Sequence, residues 1–213
     1  MSKKKKIGIM GGTFDPIHIG HLILAENALE SFQLDKILVM PSGNPPHKPL
    51  RKGRASTRQR VEMTRLAIEG HKSFELSLIE VHREGYTYTH DTLEQLNKEH
   101  PDEEYYFIMG VDSLFAFDTW MHPEIIAKNC RIIVAMRDAV DEYTLDEQIK
   151  FLKEEYGAVV YKLNNPNLDI SSHMIRQKIK DHLSIEYLVP DQVIEYIAKE
   201  KLYLEGCDES KSK

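Results

Sequence analysis

Two histidines behind a pair of glycines are the residues whose types and spacing most clearly suggest chemistry. Gly11 and Gly12 end an apolar run, and His18 and His21 follow where a helical pattern begins. Glycines let the main chain approach a ligand closely, and the first turn of a helix offers unpaired N–H groups with a partial positive charge. Residues at i and i+3 share one face of a helix. The pattern therefore predicts an anion site where both imidazoles face one phosphate.

Two other interpretations of these histidines compete with phosphate binding. A histidine at a helix start can simply pack against a neighbouring helix or lie in solvent, and a pair at helical spacing can bind zinc. The segment has no HExxH pattern, and the sequence offers no obvious third ligand. We therefore favour phosphate binding and predict no metal held by the protein's own side chains.

Composition narrows the class of protein. The chain has 213 residues, of which 41% are hydrophobic and 29% charged, with a formal net charge of −6. This length predicts a single domain over residues 1–205, followed by a polar, disordered tail at 206–213. The apolar runs are much shorter than the roughly 20 residues of a membrane helix, and no signal-peptide pattern is visible, so we expect a cytoplasmic protein without a membrane partner. The acidic balance argues against nucleic acid as a partner, and a homo-oligomer stays an open alternative.

The elements that must position the histidines alternate along the chain. The strand candidates are KIGIM, KILVM, YYFIM, RIIVAM and AVVYKL. Helical length and spacing occur at residues 19–33, 56–70, 90–99 and 144–156, and two more helices follow, one capped by serines before MIRQKIKDHL and one opened by Pro190. This alternation predicts an α/β fold: a doubly wound, Rossmann-like parallel sheet with flanking helices and a C-terminal helical segment.

Three loops follow strands directly and should therefore meet. They are the turn at Gly11 and Gly12, the proline-rich loop at residues 41–55, and the segment at residues 110–112. In an open α/β sheet, ligands bind beyond the carboxyl ends of the strands. We expect these loops to converge on one site.

The glycine–histidine block carries a family resemblance. GGTFDPIHIGH, at residues 11–21, resembles the H-x-G-H motif of the nucleotidylyltransferase superfamily, whose relatives include class I aminoacyl-tRNA synthetases. Four further segments occur in the order seen in bacterial nicotinate-nucleotide adenylyltransferases: PSGNPPHK at 41–48, YTYTHDTL at 86–93, GVDSLFAFDTW at 110–120 and ISSHMIR at 170–176. The resemblance spans about residues 7 to 204. It implies transfer of AMP from ATP to nicotinate mononucleotide, giving deamido-NAD and pyrophosphate in NAD biosynthesis.

The resemblance also implies an ATP half-site. It assigns catalysis to His18, His21 and Arg176. It assigns phosphate contacts to Gly12, Thr13, Phe14, Ser171 and Ser172. Arg176 lies near the start of a serine-capped helix, so the helix dipole and the guanidinium would act on one anion. Mg²⁺ is expected on the substrate phosphates, with few or no protein ligands.

The second half-site implied by the resemblance binds nicotinate mononucleotide. Its predicted residues are Lys48, Thr89, Asp112, Trp120, Met121 and Arg137. Trp120, the only tryptophan, would offer a flat face to the pyridine ring, and backbone N–H groups near Thr89 and Met121 would bind the carboxylate. Asp112 would accept a hydrogen bond from a ribose hydroxyl, cap the next helix, or do both.

Two departures from the family pattern bear on these roles. His173 stands where the family usually has serine or threonine, which puts the role of residue 173 in doubt. The sequence RDA replaces the usual RPG after the predicted strand RIIVAM, which weakens the assignment of Arg137.

Three other functions compete with this interpretation. A sibling transferase would use nicotinamide mononucleotide or another phosphorylated acceptor, and a nucleotide sensor would bind ATP or NAD without turnover. A class I tRNA synthetase is excluded, because the chain has no KMSKS-like loop and no room for an anticodon domain.

Overall fold

Six parallel strands form one sheet in the computed structural model, which describes residues 4–44, 53–136, 141–166 and 168–204. The strands are β1 (Lys5–Gly12), β2 (Lys36–Pro41), β3 (Phe74–Leu76), β4 (Glu103–Gly110), β5 (Arg131–Ala135) and β6 (Val160–Leu163). Their order in the sheet is β3-β2-β1-β4-β5-β6, with every neighbouring pair parallel. This order and the crossovers between strands confirm the predicted doubly wound, Rossmann-like fold.

Helices connect the strands and complete the C-terminal part of the described chain. They are α1 (Ile19–Ser31), α2 (Thr57–Ile68), α3 (Thr89–Glu99), α4 (Val111–Phe115), α5 (Pro123–Asn129), α6 (Glu142–Tyr156), α7 (Ser172–Lys180) and α8 (Asp191–Lys199). The five predicted strands and six predicted helices are all present. The sequence analysis gave no bounds for β3, α4 or α5, which are too short to show a clear period.

Each face of the sheet is covered by helices, which explains the nearly continuous apolar strands. In β2, Ile37 and Val39 pack in a cluster that contains buried residues of α1, α2, α7 and α8. Leu38 and Met40 belong to a second cluster that contains buried residues of α3, α4, α5 and α6. Side chains alternate between the faces of a strand, so one apolar run supplies both cores.

The strand order reverses direction between β1 and β4. The chain leaves β1 toward β2 and β3, and later returns to β4 on the other side of β1. Such a switch point leaves a crevice beyond the carboxyl ends of the two strands. The glycine pair ends β1, and residues 110–112 follow β4, so the fold places both at this crevice. Within the described ranges, no helix has the length and apolar character that crossing a bilayer requires.

Candidate active site

The loop between β1 and α1 folds back over the glycine pair. Phe14 has a left-handed backbone conformation, with φ of 49°, and its ring is buried. A Cβ atom at Gly12 would lie 2.7 Å from Cε1 of that ring, which is closer than two non-bonded carbon atoms approach each other. The same ring also meets the His21 ring edge-on, with the ring centroids 5.0 Å apart. A side chain at residue 12 would displace the Phe14 ring, which contacts His21, so this position requires glycine.

The two imidazoles lie together at the start of α1. Their rings stack with centroids 3.6 Å apart, and the backbone N–H of His18 donates to Nδ1 of His21 at 3.3 Å. Because Nδ1 of His21 is an acceptor, its neutral ring carries the proton on Nε2. A Cβ at Gly20 would lie 3.1 Å from Nδ1 of His18, so this position favours glycine. The structure brings the predicted pair together, and their contact with a phosphate stays a prediction.

Burial makes both imidazoles neutral in the folded protein. It lowers the pKa of His18 from 6.5 to about 4. Burial, with a smaller effect of His18, also lowers the pKa of His21 well below 6.5. At pH 7 the pair therefore offers N–H donors without a net charge of its own. A bound polyanion would favour the protonated rings and raise both pKa values.

The lowered pKa of His18 predicts a loss of stability in mild acid. Between pH 6.5 and pH 4 the unfolded chain binds a proton that the folded protein excludes, so the free energy of unfolding should fall as the pH falls through this window. A pKa lowered from 6.5 to about 4 corresponds to a loss of about 3 kcal/mol in the free energy of unfolding across this window. Urea unfolding of the protein and of His18→Asn, at several pH values, measures it. His82→Asn, at an exposed position, is the control, and parallel curves for the protein and His18→Asn would contradict the prediction.

A buried arginine of α2 joins the first loop to the chain that follows β2. Arg60 is 3% exposed, and its guanidinium donates to the carbonyl oxygens of Thr13 at 2.7 Å and Ser42 at 2.8 Å. The N–H of Ser42 also donates to the carbonyl of Gly12 at 2.8 Å. The C=O and N–H of one trans peptide point in opposite directions, so holding the Thr13 carbonyl fixes where the N–H of Phe14 points. Sequence reasoning missed Arg60.

The start of α7 also packs against the loop between β1 and α1. Ser171 caps α7 as predicted, with its Oγ accepting an N–H from the first turn at 3.1 Å. The hydroxyl of Ser172 donates to the carbonyl of Pro16 at 2.8 Å, and Nη1 of the buried Arg176 donates to the carbonyl of Asp15 at 2.6 Å. These residues meet the predicted nucleotide loop. Their contacts in the structure hold its main chain, and their contact with a triphosphate stays a prediction.

A cavity of about 320 Å³ lies beside the glycine pair, beyond the carboxyl ends of β1 and β4. Three predicted acceptor residues, Thr89, Trp120 and Met121, line it together with Gly12. Trp120 is held edge-on against Phe107, with centroids 6.0 Å apart. Thr89 is the first residue of α3, whose N-cap makes no side-chain capping bond, so the helix directs N–H groups outward there. The structure therefore joins an aromatic face and a helix N-terminus in one cavity.

Glu80 is a further cavity residue that sequence reasoning missed. Its carboxylate accepts from the hydroxyl of Thr92 at 3.2 Å. Burial raises the pKa of Glu80, and hydrogen bonds and the charge of Arg83 partly oppose this effect. The raised pKa makes this carboxyl easier to protonate than an exposed glutamate, which reduces its repulsion of an anion in the cavity.

Asp112, a further predicted acceptor residue within the described ranges, does not line the cavity. Asp112 is exposed in the first turn of α4, and Ser113 lines the cavity instead. The N-cap of α4 is Gly110, so the alternative role of Asp112 as a cap is wrong. Lys48 and Arg137 lie outside the described residues.

A doubly wound sheet with a histidine pair at its switch point defines a class of nucleotidyl-transferring proteins, and residues 9–178 match the cytidylyltransferase-like family. A relative from Lachnoclostridium phytofermentans, named as a probable nicotinate-nucleotide adenylyltransferase, is 44% identical over 94% of this chain and 100% of its own length. One of the same name from Thermoanaerobacter is 42% identical over 95% of this chain and 96% of its own. The chain therefore belongs to the nicotinate-nucleotide adenylyltransferase family, as its motifs predict.

Solved structures show the same fold at lower sequence identity. The Plasmodium falciparum nicotinic acid mononucleotide adenylyltransferase complexed with NaAD has a TM-score of 0.78 and 23% identity, over 95% of this chain and 98% of its own. The same enzyme complexed with APC has a TM-score of 0.74 and 22% identity over the same shares. These similarities independently support the described architecture.

Proposed function

We propose that the protein transfers the AMP group of ATP to nicotinate mononucleotide and releases deamido-NAD and pyrophosphate. The observation that carries this proposal is the position of Gly12 between two half-sites. Gly12 lines the cavity that contains Trp120, and it packs against Phe14, whose ring contacts His21. A ring bound in the cavity and a triphosphate bound at the histidines would thus meet at the glycine turn.

The cavity suits the pyridine ring and carboxylate of the acceptor. We place the ring against Trp120, and the carboxylate at the N–H groups of Thr89 and Met121. The positive end of α3 stabilises a bound carboxylate more than it stabilises the neutral amide of nicotinamide. This difference favours nicotinate mononucleotide over nicotinamide mononucleotide.

The reaction needs alignment and charge stabilisation more than proton transfer. A phosphate oxygen of nicotinate mononucleotide attacks the α-phosphorus of ATP; the new O–P bond forms as the bond to the bridging α,β-oxygen breaks, and pyrophosphate takes the electron pair. The attacking oxygen is already anionic, so no general base is required. We assign stabilisation of the charge at the α-phosphorus to His18, His21 and the N–H of Phe14.

Mg²⁺ belongs to the proposal as an ion bound through the substrate phosphates. Across the described ranges, no three His, Cys, Asp or Glu side chains are grouped to hold a metal ion. Mg²⁺ usually keeps water and substrate phosphate oxygens as most of its ligands, so we expect few or no ligands from the protein. When bound, it would neutralise part of the triphosphate charge. The predicted cytoplasmic location, the oligomeric state and the exclusion of nucleic acid and membrane partners stay predictions.

The choice of acceptor tests the proposed function directly. The protein is incubated with ATP, Mg²⁺ and nicotinate mononucleotide, nicotinamide mononucleotide or phosphopantetheine, and pyrophosphate and the adenylylated product are measured. We expect deamido-NAD with nicotinate mononucleotide, at a kcat/KM at least about tenfold above the others. Binding should also change the fluorescence of Trp120. Fluorescence changes without pyrophosphate release would indicate a sensor, and a preference for another acceptor would indicate a sibling transferase.

A further inference from the structure

A tyrosine from the C-terminal end of the described chain reaches the loop that precedes the histidines. Tyr203 follows α8 and has a left-handed backbone conformation, with φ of 65°, which is unusual for an aromatic residue. Its side chain is buried, and its hydroxyl donates to Oδ1 of Asp15 at 2.7 Å. The proposed mechanism gives neither residue a role.

Asp15 is a buried acid in a loop that is predicted to bind an anion. Only 2% of it is exposed, and its position is three residues before His18. A carboxylate that faced the triphosphate would repel it, so the chain must direct this charge away from the ligand. Nη1 of Arg54 donates to Oδ2 at 3.1 Å, and the N–H of Ala55 donates to Oδ1 at 3.2 Å. Asp15 thus ties the loop to the segment before α2 and to the C-terminal end.

We propose that Tyr203 is a positioning residue: through Asp15 it fixes the loop that carries the N–H of Phe14 and leads into His18. The proposal rests on the proposed function for its kinetic consequence. The Tyr203 hydroxyl makes the shortest hydrogen bond to the Asp15 carboxylate. Without it, the carboxylate keeps only longer contacts, which are the bonds from Ala55 and Arg54 and an ion pair with Arg176 at 3.9 Å. The loop at Asp15 is then held less firmly. A shift of the loop by a fraction of an ångström would misalign the donors at the α-phosphorus.

A second tyrosine supplies a matched control. Tyr105 is also buried, and its hydroxyl donates to Oε2 of Glu103, likewise at 2.7 Å. This pair lies at the start of β4, whereas the site lies beyond the carboxyl ends of the strands. The substitutions Tyr203→Phe and Tyr105→Phe each remove one buried hydroxyl from one carboxylate. Their effects on stability should be similar, and their effects on the site should differ.

The test compares the two variants in three measurements. We expect Tyr203→Phe to lower kcat by about tenfold with a smaller change in the KM for ATP, because the loop contributes most where charge develops. It should shift the imidazole NMR signals of His18 and His21 and weaken binding of α,β-methylene-ATP. Tyr105→Phe should keep the kcat, the signals and the affinity, with a comparable decrease in Tm.

The outcomes separate this proposal from the proposed function. If the protein makes no deamido-NAD, the proposed function fails, and shifted imidazole signals with weaker analogue binding in Tyr203→Phe alone still support positioning. If Tyr203→Phe decreases Tm as Tyr105→Phe does and leaves kcat, signals and affinity unchanged, Tyr203 has only a structural role and the proposal is overturned.

Discussion

Replacing His21 by alanine should lower kcat by about 10² to 10³, the effect of removing one donor from an oxyanion hole, with a modest change in KM. The imidazole stacks on His18 and accepts its backbone N–H on Nδ1, so the N–H of Nε2 is the group assigned to the reacting phosphate. A donor that matters mainly in the transition state affects kcat more than binding. Steady-state rates of pyrophosphate release, with both substrates varied, measure the effect.

Two polar substitutions separate the donor role of His21 from its structural role. The side-chain oxygen of His21→Asn can still accept the N–H of His18, as Nδ1 does, but asparagine is too short to place a donor at the position of Nε2. His21→Gln can place an N–H near that position. We expect the asparagine variant to be as slow as alanine at nearly normal Tm, and the glutamine variant to be about tenfold faster than alanine.

His71→Ala is the control for nonspecific effects of losing an imidazole. His71 is exposed and paired with Glu26 on the protein surface, so we expect this variant to keep its activity. Near-normal turnover of His21→Ala would refute the assignment of His21. Equal losses in the alanine and glutamine variants would show that the ring stacking, rather than the N–H donor, carries the effect.

The main elements of the fold were predictable because apolar runs of strand length alternate with helical patterns. KIGIM and KILVM are buried on both faces, and such runs are typical of a parallel sheet. The strand Phe74–Leu76 and the helix Val111–Phe115 received no bounds from the sequence, since three and five residues are too few to repeat either pattern clearly. Their existence depends on neighbouring elements: β3 pairs with β2, and α4 packs against α6, whose Gln148 side chain donates to the carbonyl of Leu114 at 3.3 Å.

Some residues of the site lie in one contiguous segment that the sequence indicates, and others come from distant parts of the chain. The block around His18 and His21 is contiguous, so the sequence alone indicated the stacked pair. The residues that hold its loop come from α2 and from the C-terminal end, and Arg60 and Tyr203 looked like ordinary surface or core positions. One local signal was overlooked: an acid inside a predicted anion loop, at Asp15, requires buried cationic or hydroxyl partners. The sequence cannot say which residues these are, because the fold brings them from far along the chain.

Arg60→Met should cause the largest combined loss of stability and activity among the loop contacts. The guanidinium makes short hydrogen bonds to the carbonyls of Thr13 and Ser42 and a third bond to the hydroxyl of Thr57 at 3.1 Å. Methionine fills similar volume but leaves two partly buried carbonyls without this donor, which should cost about 3 kcal/mol in the free energy of unfolding. We expect kcat/KM to fall by about 100-fold, because the N–H of Phe14 loses its fixed direction.

The comparison with Arg60→Lys and Arg65→Met makes this expectation specific. Lysine keeps a positive charge but cannot bond two separate carbonyls with the geometry of a guanidinium, so Arg60→Lys should fall between the methionine variant and the unmodified protein. Arg65 lies on the same helix, exposed and paired with Glu62 and Glu69, and its replacement should leave kcat/KM unchanged. Urea unfolding and steady-state kinetics on all three variants test these expectations. A fully active Arg60→Met would show that the two loops meet without the arginine, and that their backbone contact from Ser42 to Gly12 suffices to hold the site.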